Sequence, residues 1–345
     1  MQSSRPARQG AEAIVHCGPV AVGVTAETTL LRERMLAELE QFTSRWTEPG
    51  AMIRVSLHAT EEPAVAGEGR FLHCSAMRVD RTRSGLVATC RSGSSGSYDA
   101  AQRRWELRIR TAPIATPDMD TPGAGLAGAS TEDNVEDLLE LILTIAWRDV
   151  GWIALHAGGV VEDGRCALLM APARGGKSTL TAAMLHRGWH TLGDDKLLLA
   201  LGADGRPEVR GLTSHFNLDP RTRAWFPEVG DLELLPRLSN WSAKRRVPIE
   251  AVWGECFAPR AIPTHVVLIR RHPDRRPTRV EPLTASEVLS AVLHQSVVPN
   301  DTATAKVILG VLARSARRLL GVRFDIGDDA YDDPASLDAL EAGMR

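Results

Sequence analysis

Apolar residues recur at helical spacing in five stretches of the chain. Within residues 28–45, for example, Leu31, Met35 and Leu39 fall on one face and charged residues on the other. A capping residue and first-turn acids at Ser130-Thr131-Glu132-Asp133 begin a second stretch, whose apolar stripe is typical of core packing. The predicted helices cover 28–45, a segment that starts at 130–133, a stretch around 180–185 that ends at His186-Arg187-Gly188, 285–294 and 304–320.

Short alternating or continuous apolar runs predict strands between these helices. They cover 21–24, 52–58, 105–110, 152–161, 168–170, 189–192, 196–201 and 265–269. Asp204-Gly205 predicts a hairpin turn after the strand at 196–201. Residues 91–97, which consist mostly of Ser and Gly, predict a flexible loop, and the acidic segment 325–333 predicts exposure.

The alternation of elements predicts two domains, which 345 residues can accommodate. Residues 1–10 are polar and predicted to be disordered, and 11–110 predict a smaller N-terminal α+β domain. A segment rich in Pro, Thr, Gly and Ala, 111–130, predicts a linker. We expect the helix that follows to belong with the remainder, so that 131–345 form one α/β domain.

Composition excludes several classes of function. A net charge of −2 gives no general electrostatic reason to bind nucleic acid or a membrane, and no apolar run approaches a membrane span. The five cysteines show no C-x-x-C spacing, which argues against a disulfide framework or a zinc site. Because no apolar signal-peptide segment follows Met1, we expect a cytoplasmic protein.

A phosphate-binding loop is predicted between the apolar strand at 168–170 and an amphipathic stretch. Ala171-Pro172-Ala173-Arg174-Gly175-Gly176-Lys177-Ser178-Thr179 matches G-x-x-x-x-G-K-[ST] except that its first position is Ala171. We expect Ala173, Arg174, Gly175, Gly176, Lys177, Ser178 and Thr179 to bind a nucleotide. Lys177 would reach the β- and γ-phosphates and Ser178 would ligate Mg²⁺. An ordinary strand-to-helix turn is the alternative interpretation.

Two carboxylates, Asp194 and Asp195, follow the next strand, at the edge where ligands bind in open α/β sheets. One can hold Mg²⁺ and the other can accept a proton from an attacking hydroxyl, although a solvated turn would have the same sequence. A hairpin turn at 162–165 predicts that His156 lies near the phosphate site, where it is either catalytic or structural.

Three further basic residues, Arg210, Lys244 and Arg245, could contact phosphate or substrate. A purely structural role in a turn is an equal alternative for Arg210. For the basic cluster at 244–246 the alternative is a solvated surface.

Four segments together resemble the catalytic domain of HPr kinase/phosphorylase and its relatives, including kinases of peptide-modification gene clusters. They are Leu155-His156-Ala157, Gly176-Lys177-Ser178, Arg187-Gly188-Trp189-His190 and Gly193-Asp194-Asp195. The resemblance implies a P-loop kinase domain with a mixed central sheet flanked by helices. It also implies that Asp194 and Asp195 supply the general base and metal contacts, with His156 near the transferred phosphate.

The resemblance departs after the acidic pair. Carrier-specific members have an Arg-Gly-Leu-Gly signature, whereas Arg210-Gly211-Leu212 is followed by Thr213 and comes too early. We therefore do not expect HPr itself to be the substrate. The expected function is a Mg²⁺- and ATP-dependent kinase for a Ser/Thr-type hydroxyl of a peptide, protein or small molecule, with reverse phosphorolysis possible. A nucleotide-binding accessory protein is the alternative, and the oligomeric state is not predicted.

Overall fold

The computed structural model describes residues 12–43, 50–65, 67–74, 76–111, 131–172, 174–213, 215–237, 243–271, 277–327 and 329–345. The predicted disordered segment 1–10 and all but the first residue of the predicted linker 111–130 lie outside these ranges. The chain forms two compact units, 1–150 with 299–305 and 151–298 with 306–345. Both are mixed α/β structures.

The first unit is built on an eight-stranded sheet in the order β1-β2-β3-β8-β7-β6-β5-β4. Its strands are β1 (Ala13–Cys17), β2 (Val20–Ala26), β3 (Ala51–Thr60), β4 (Leu72–His73), β5 (Met77–Arg81), β6 (Gly85–Cys90), β7 (Ser95–Asp99) and β8 (Arg104–Arg110). Its helices are α1 (Thr29–Glu40) and α2 (Thr131–Asp149). Strand β3 is parallel to both of its neighbours, and the other neighbouring strands are antiparallel.

Helix α2 packs within the first unit. Its stripe of Leu138, Leu139 and Ile142 is fully buried, and the indole of Trp147 donates a hydrogen bond to the carbonyl of Cys17 at 2.9 Å. The division of the chain after residue 150 therefore differs from the sequence-based boundary at 131. An apolar stripe shows that a helix is buried, but it does not show which sheet covers it.

The loop predicted at 91–97 is wrong in its second half. Strand β7 begins at Ser95, and Ser94 is fully buried. The Ser94 hydroxyl accepts a hydrogen bond from the backbone N–H of Arg110 at 3.0 Å. Small polar residues can therefore belong to a sheet when their hydroxyls bond to backbone groups of the neighbouring strand.

The second unit contains three sheets. Its strands are β9 (Ile153–Leu155), β10 (Gly158–Glu162), β11 (Arg165–Met170), β12 (His190–Gly193), β13 (Leu197–Leu201), β14 (Pro207–Gly211), β15 (His215–Leu218), β16 (Arg245–Pro248), β17 (His265–Arg271), β18 (Arg279–Pro282) and β19 (Leu320–Ile326). Its helices are α3 (Lys177–His186), α4 (Ile249–Trp253), α5 (Ala285–His294), most of α6 (Thr302–Ala316) and α7 (Pro334–Gly343). Single 3₁₀ turns cover Pro220–Ala224, Pro227–Val229 and Leu232–Leu234.

The largest of these sheets is six-stranded and has the order β12-β10-β11-β17-β19-β18. Strands β11, β17 and β19 run parallel at its centre. Both faces are covered, because Leu169 and Val267 belong to one core cluster and Leu168 and Val266 to another. Strand β11 is thus held on both faces at the point where the predicted phosphate-binding loop begins. The smaller sheets are β14-β13-β9 and β15-β16.

The single strand predicted over 152–161 is two strands. Strand β9 pairs with β13, whereas β10 pairs with β11 and β12 in the six-stranded sheet. The chain changes sheets at His156, whose backbone N–H donates to the carbonyl of Gln295 at 2.8 Å. The apolar run is continuous, so hydrophobicity gave no signal for this break.

The C-terminal prediction needs two corrections. Helix α6 ends at Ala316, and β19 begins at Leu320 inside the predicted helix 304–320. The acidic segment 325–333 is not uniformly exposed, since Ala330 is 1% exposed. Asp329 accepts hydrogen bonds from the backbone and hydroxyl of Thr278, which explains how this acidic stretch packs against the protein. No helix in the described part of the chain is long and apolar enough to span a membrane.

Candidate active site

The predicted phosphate-binding loop connects the central strand β11 to helix α3. Gly176 has a φ of +101°, and a Cβ at Gly175 would lie 2.7 Å from the Ala171 Cβ and 2.8 Å from the carbonyl oxygen of Pro172. Glycine is therefore required at both positions, by conformation at one and by close approach at the other. Ala173 lies outside the described residues.

Helix α3 starts without a side-chain cap. Gly176 occupies the N-cap position, and no side chain bonds to the first backbone N–H groups there. The start of a helix carries unpaired donors and a partial positive charge, which suits an anion such as phosphate. Thr181 anchors the first turn, because its hydroxyl donates to the carbonyl of Lys177 at 3.0 Å.

Lys177, His156 and Asp195 form a connected chain of polar contacts. The Lys177 side chain is largely buried, and its Nζ lies 2.6 Å from Nε2 of His156. On the other side of the ring, Nδ1 lies 3.2 Å from Oδ1 of Asp195. A lysine ammonium can only donate, so Nε2 of His156 accepts and Nδ1 carries the proton toward the carboxylate. Burial lowers the pKa of Lys177, and the two aspartates oppose this shift.

Asp194 is a buried carboxylate. It is 1% exposed, and neither of its oxygens has a well-formed hydrogen bond with any described residue. Burial, together with the charge of Asp195, raises its pKa to about 6. The Ser178 hydroxyl, Lys177 and Lys244 act in the opposite direction. Apart from the nearby Ser178 hydroxyl, ionised Asp194 therefore has no partner among the described residues, as expected of a group that ligates a cation.

The turn that carries the two aspartates is fixed by Thr213. The Thr213 hydroxyl accepts a hydrogen bond from the backbone N–H of Asp194 at 3.1 Å and donates to its carbonyl at 2.6 Å. Asp195 has a φ of +70°, in the left-handed region. Sequence reasoning treated Thr213 only as a departure from a signature, and the structure shows that it holds the acidic pair in place.

The three basic residues singled out from the sequence lie in different surroundings. The charge of Lys244 acts on both Lys177 and Asp194, so this residue belongs near the cluster. Arg245 is buried, forms an ion pair with Glu233 and donates to the carbonyl of Leu235 at 3.1 Å. Arg210 has its own contacts, which are an ion pair with Glu208 at 2.6 Å and the face of Trp152 at 5.4 Å.

Sequence reasoning missed His215 as a neighbour of the cluster. Burial and the charge of Arg246 lower its pKa to about 4, and Asp195 acts in the opposite direction. His215 is therefore neutral near pH 7 and adds no positive charge beside the carboxylates. In the sequence, His215 lies between β14 and β16 beside an aromatic residue, and nothing in that segment indicated that it would lie near the aspartates.

The donor set fits Mg²⁺ if phosphate supplies further ligands. The described residues contain no group of three or more His, Cys, Asp or Glu side chains that could hold a metal. Magnesium usually takes one or two carboxylates, several waters and substrate phosphate oxygens. Asp194 and Ser178, with Asp195 adjacent, match that requirement in number and chemistry.

Comparison with known proteins yields a distant structural similarity. No family model and no curated protein matches the chain. Among solved structures, the HPr(Ser) kinase/phosphatase from Coxiella burnetii matches with 11% identity and a TM-score of 0.29. The match covers 55% of this chain and 94% of that protein. Similarity at this level assigns neither a family nor an activity, so function is argued from the site itself.

Proposed function

We propose that this protein is a Mg²⁺- and ATP-dependent kinase that phosphorylates a Ser/Thr-type hydroxyl. The observation that carries the proposal is the buried Asp194, whose oxygens lack hydrogen-bond partners among the described residues and which feels the charge of Lys177. A structural turn would not bury an unpaired carboxylate beside a glycine loop and an uncapped helix start. A site for a phosphate-bound cation accounts for all three features.

Lys177 is proposed to bind the terminal phosphates of ATP. In the described structure its ammonium contacts His156, a neutral partner that can be exchanged for phosphate oxygens when the nucleotide enters. Asp194 and Ser178 would hold Mg²⁺, whose charge would offset that of the phosphates. Phosphoryl transfer depends mainly on such positioning and charge neutralisation.

Asp195 is the proposed general base. Its side chain is 40% exposed, so an acceptor hydroxyl can reach it, whereas Asp194 is enclosed. The hydroxyl oxygen attacks the γ-phosphorus, the bond to the β–γ bridging oxygen breaks, ADP leaves and the proton passes to Asp195. His156 contacts Asp195 through Nδ1 and thereby holds the carboxylate in position.

The proposed acceptor is a peptide, a protein or a small molecule that carries the hydroxyl. Nucleic acids and membranes are not proposed as partners, because the net charge of −2 offers no broad attraction to either. The cysteines of the described chain are free thiols, which suits the reducing cytoplasm where ATP is also abundant.

The proposal is tested with γ-labelled ATP and Mg²⁺, using peptides encoded beside the gene and free Ser and Thr as acceptors. Label is expected in an acceptor with wild type and with Lys306→Ala, an exposed lysine on α6, but not with Lys177→Ala. Release of free phosphate alone would identify a hydrolase instead. Nucleotide binding without turnover would favour the accessory-protein alternative.

A further inference from the structure

A cavity of about 130 Å³ adjoins the phosphate-binding loop. Gly176 and Thr179 line one side, and Trp225, Arg271, Ile326 and Tyr331 line the others. All of these residues belong to the second unit. Trp225 and Tyr331 are more than 100 residues apart, and the sequence gave no reason to connect them.

The residues of the proposed reaction centre do not line this cavity. None of His156, Lys177, Asp194 and Asp195 lines it. In a phosphate-binding loop the lysine reaches the β- and γ-phosphates, while the backbone and the helix start hold the phosphates nearer the nucleoside. A nucleotide whose γ-phosphate meets Lys177 therefore directs its nucleoside toward Thr179 and this cavity.

The walls of the cavity include two aromatic rings inclined to each other. The rings of Trp225 and Tyr331 have centroids 5.0 Å apart at an angle of 48°. The Trp225 indole N–H donates to Asp332 at 2.9 Å, which fixes the plane of that ring. Ile326 adds an aliphatic wall, and Arg271 places an exposed cation at the rim. A planar aromatic heterocycle is the ligand class that such walls favour.

A polar group in the cavity wall lacks a partner. The hydroxyl of Tyr331 is buried and has no hydrogen-bond partner among the described residues. It faces the loop, lying 3.9 Å from where a Cβ on Gly176 would be. A buried hydroxyl without a partner is unfavourable, so its position beside a phosphate-binding loop indicates a ligand that supplies an oxygen.

We propose that this cavity binds the nucleoside of the nucleotide, with the base stacked on Trp225 and a ribose oxygen near Tyr331. The assignment rests on the proposed function, because it places the nucleotide's phosphates on the loop. It extends that function by naming the residues that recognise the base-bearing end.

The test is calorimetric titration of wild type and Trp225→Leu with Mg²⁺·ADP and with inorganic tripolyphosphate. Since stacking of a base on an aromatic side chain contributes about 1–3 kcal/mol, Trp225→Leu is expected to raise the Kd for ADP roughly 5- to 150-fold. Tripolyphosphate has no base, so its Kd is expected to stay within about twofold by the same argument.

Trp253→Leu is the matched control. Trp253 is also partly buried against the same core, and its indole donates to the carboxylate of Glu228 at 3.2 Å, but it does not line the cavity. Its substitution is expected to leave both Kd values unchanged. Equal loss of ADP affinity in the two variants, or equal loss of ADP and tripolyphosphate affinity in Trp225→Leu, would overturn the assignment.

Photolabelling of wild type with an azido-adenine nucleotide tests the same assignment without a substitution. Label is expected on the peptide that contains residue 225 or 331 and should be displaced by excess ATP. Label confined to other peptides would overturn the proposal. The cavity assignment and the proposed kinase function can fail separately. If Trp225→Leu weakens ADP binding as expected but no acceptor is labelled, the cavity assignment holds and the kinase function is refuted. If an acceptor is labelled but Trp225→Leu binds ADP like wild type, the kinase function holds and the cavity assignment is refuted.

Discussion

The two units bury different kinds of polar side chain. Among the described residues, the buried polar side chains of the first unit are groups that are uncharged near neutral pH, mainly Ser and Thr, whereas the second unit also buries basic and acidic side chains. These are Lys177, Asp194, Arg245 and His265. Burying a charge is unfavourable unless a partner compensates for it, so each of these groups requires an explanation.

Two of the four have ordinary protein partners. Arg245 forms its ion pair with Glu233, and His265 contacts the hydroxyl of Thr264 at 2.9 Å. Asp194 forms no ion pair with any described residue, and the ammonium of the buried Lys177 contacts a histidine ring. The comparison therefore distinguishes Arg245 and His265, which have partners within the fold, from Asp194 and Lys177, which are available to bind a ligand.

The largest effect should come from Lys177→Ala. Its loss removes a positive charge from the proposed phosphate position, and we expect kcat to fall by about 1000-fold or more. Initial rates of label transfer at saturating nucleotide measure this. Lys306→Ala, on the exposed face of α6, should retain wild-type rates. Unchanged transfer in Lys177→Ala would mean that the buried lysine is structural, and the contrast between the units would lose its functional meaning.

Substitution of the two aspartates should change the kinetics in different ways. Asp195→Asn is expected to lower kcat on the order of 100-fold or more without changing the Mg²⁺ concentration needed for half-maximal rate. Asp194→Asn is expected to raise that Mg²⁺ concentration as well, because the buried carboxylate is the proposed ligand. Rates measured over a Mg²⁺ titration distinguish these outcomes. Normal transfer in both variants would refute the base and metal assignments.

The pH dependence of stability should reveal the uncompensated charge of Asp194. Its pKa is raised from 3.8 to about 6, so between these values the unfolded chain ionises first while the folded protein keeps the proton. Stability from this group is complete below about pH 4 and is lost as pH rises through 6, by roughly 3 kcal/mol. Urea unfolding without nucleotide or metal, at pH 4.5 and 7.5, measures the part of this loss that falls between those two values, about 2 kcal/mol.

Asp194→Asn is the control for that measurement, because it cannot ionise. The neutral His215, whose pKa is lowered to about 4, titrates in both proteins and cancels in their difference. The variant should therefore lose less stability than wild type between the two pH values. Parallel pH profiles would show that Asp194 is compensated in solution.

Local chemistry explains which parts of the fold could be predicted. Helix α5 has the predicted bounds 285–294, and the strand, glycine loop and helix around Lys177 follow from turn residues and apolar spacing. The break at His156 could not be predicted, because β13 selects β9 as its partner through tertiary pairing that leaves the apolar run unchanged. The same limit applies to the candidate site.

Residues that are close in sequence were identifiable, and those joined by topology were not. Asp194 and Asp195 stood out as an acidic pair after a strand, but Thr213 comes from beyond the next hairpin and bonds to the backbone of Asp194. Tyr331 meets the loop because β19, which precedes it, lies in the same sheet as β11 with one strand between them, whereas the sequence predicted an exposed acidic segment there. Only pairing order brings these residues together.

The smallest and most selective effect should come from alanine substitutions at the two ends of helix α3. Gly176 and Gly188 both have positive φ, +101° at the start and +91° just past the end. Alanine at either position should cost about 1 kcal/mol of stability through backbone strain, measured by urea unfolding. Only Gly176→Ala should also weaken Mg²⁺·ADP binding, since only that residue belongs to the loop. Equal ADP affinity in both variants would show that the loop does not hold phosphate, whatever its charged neighbours do.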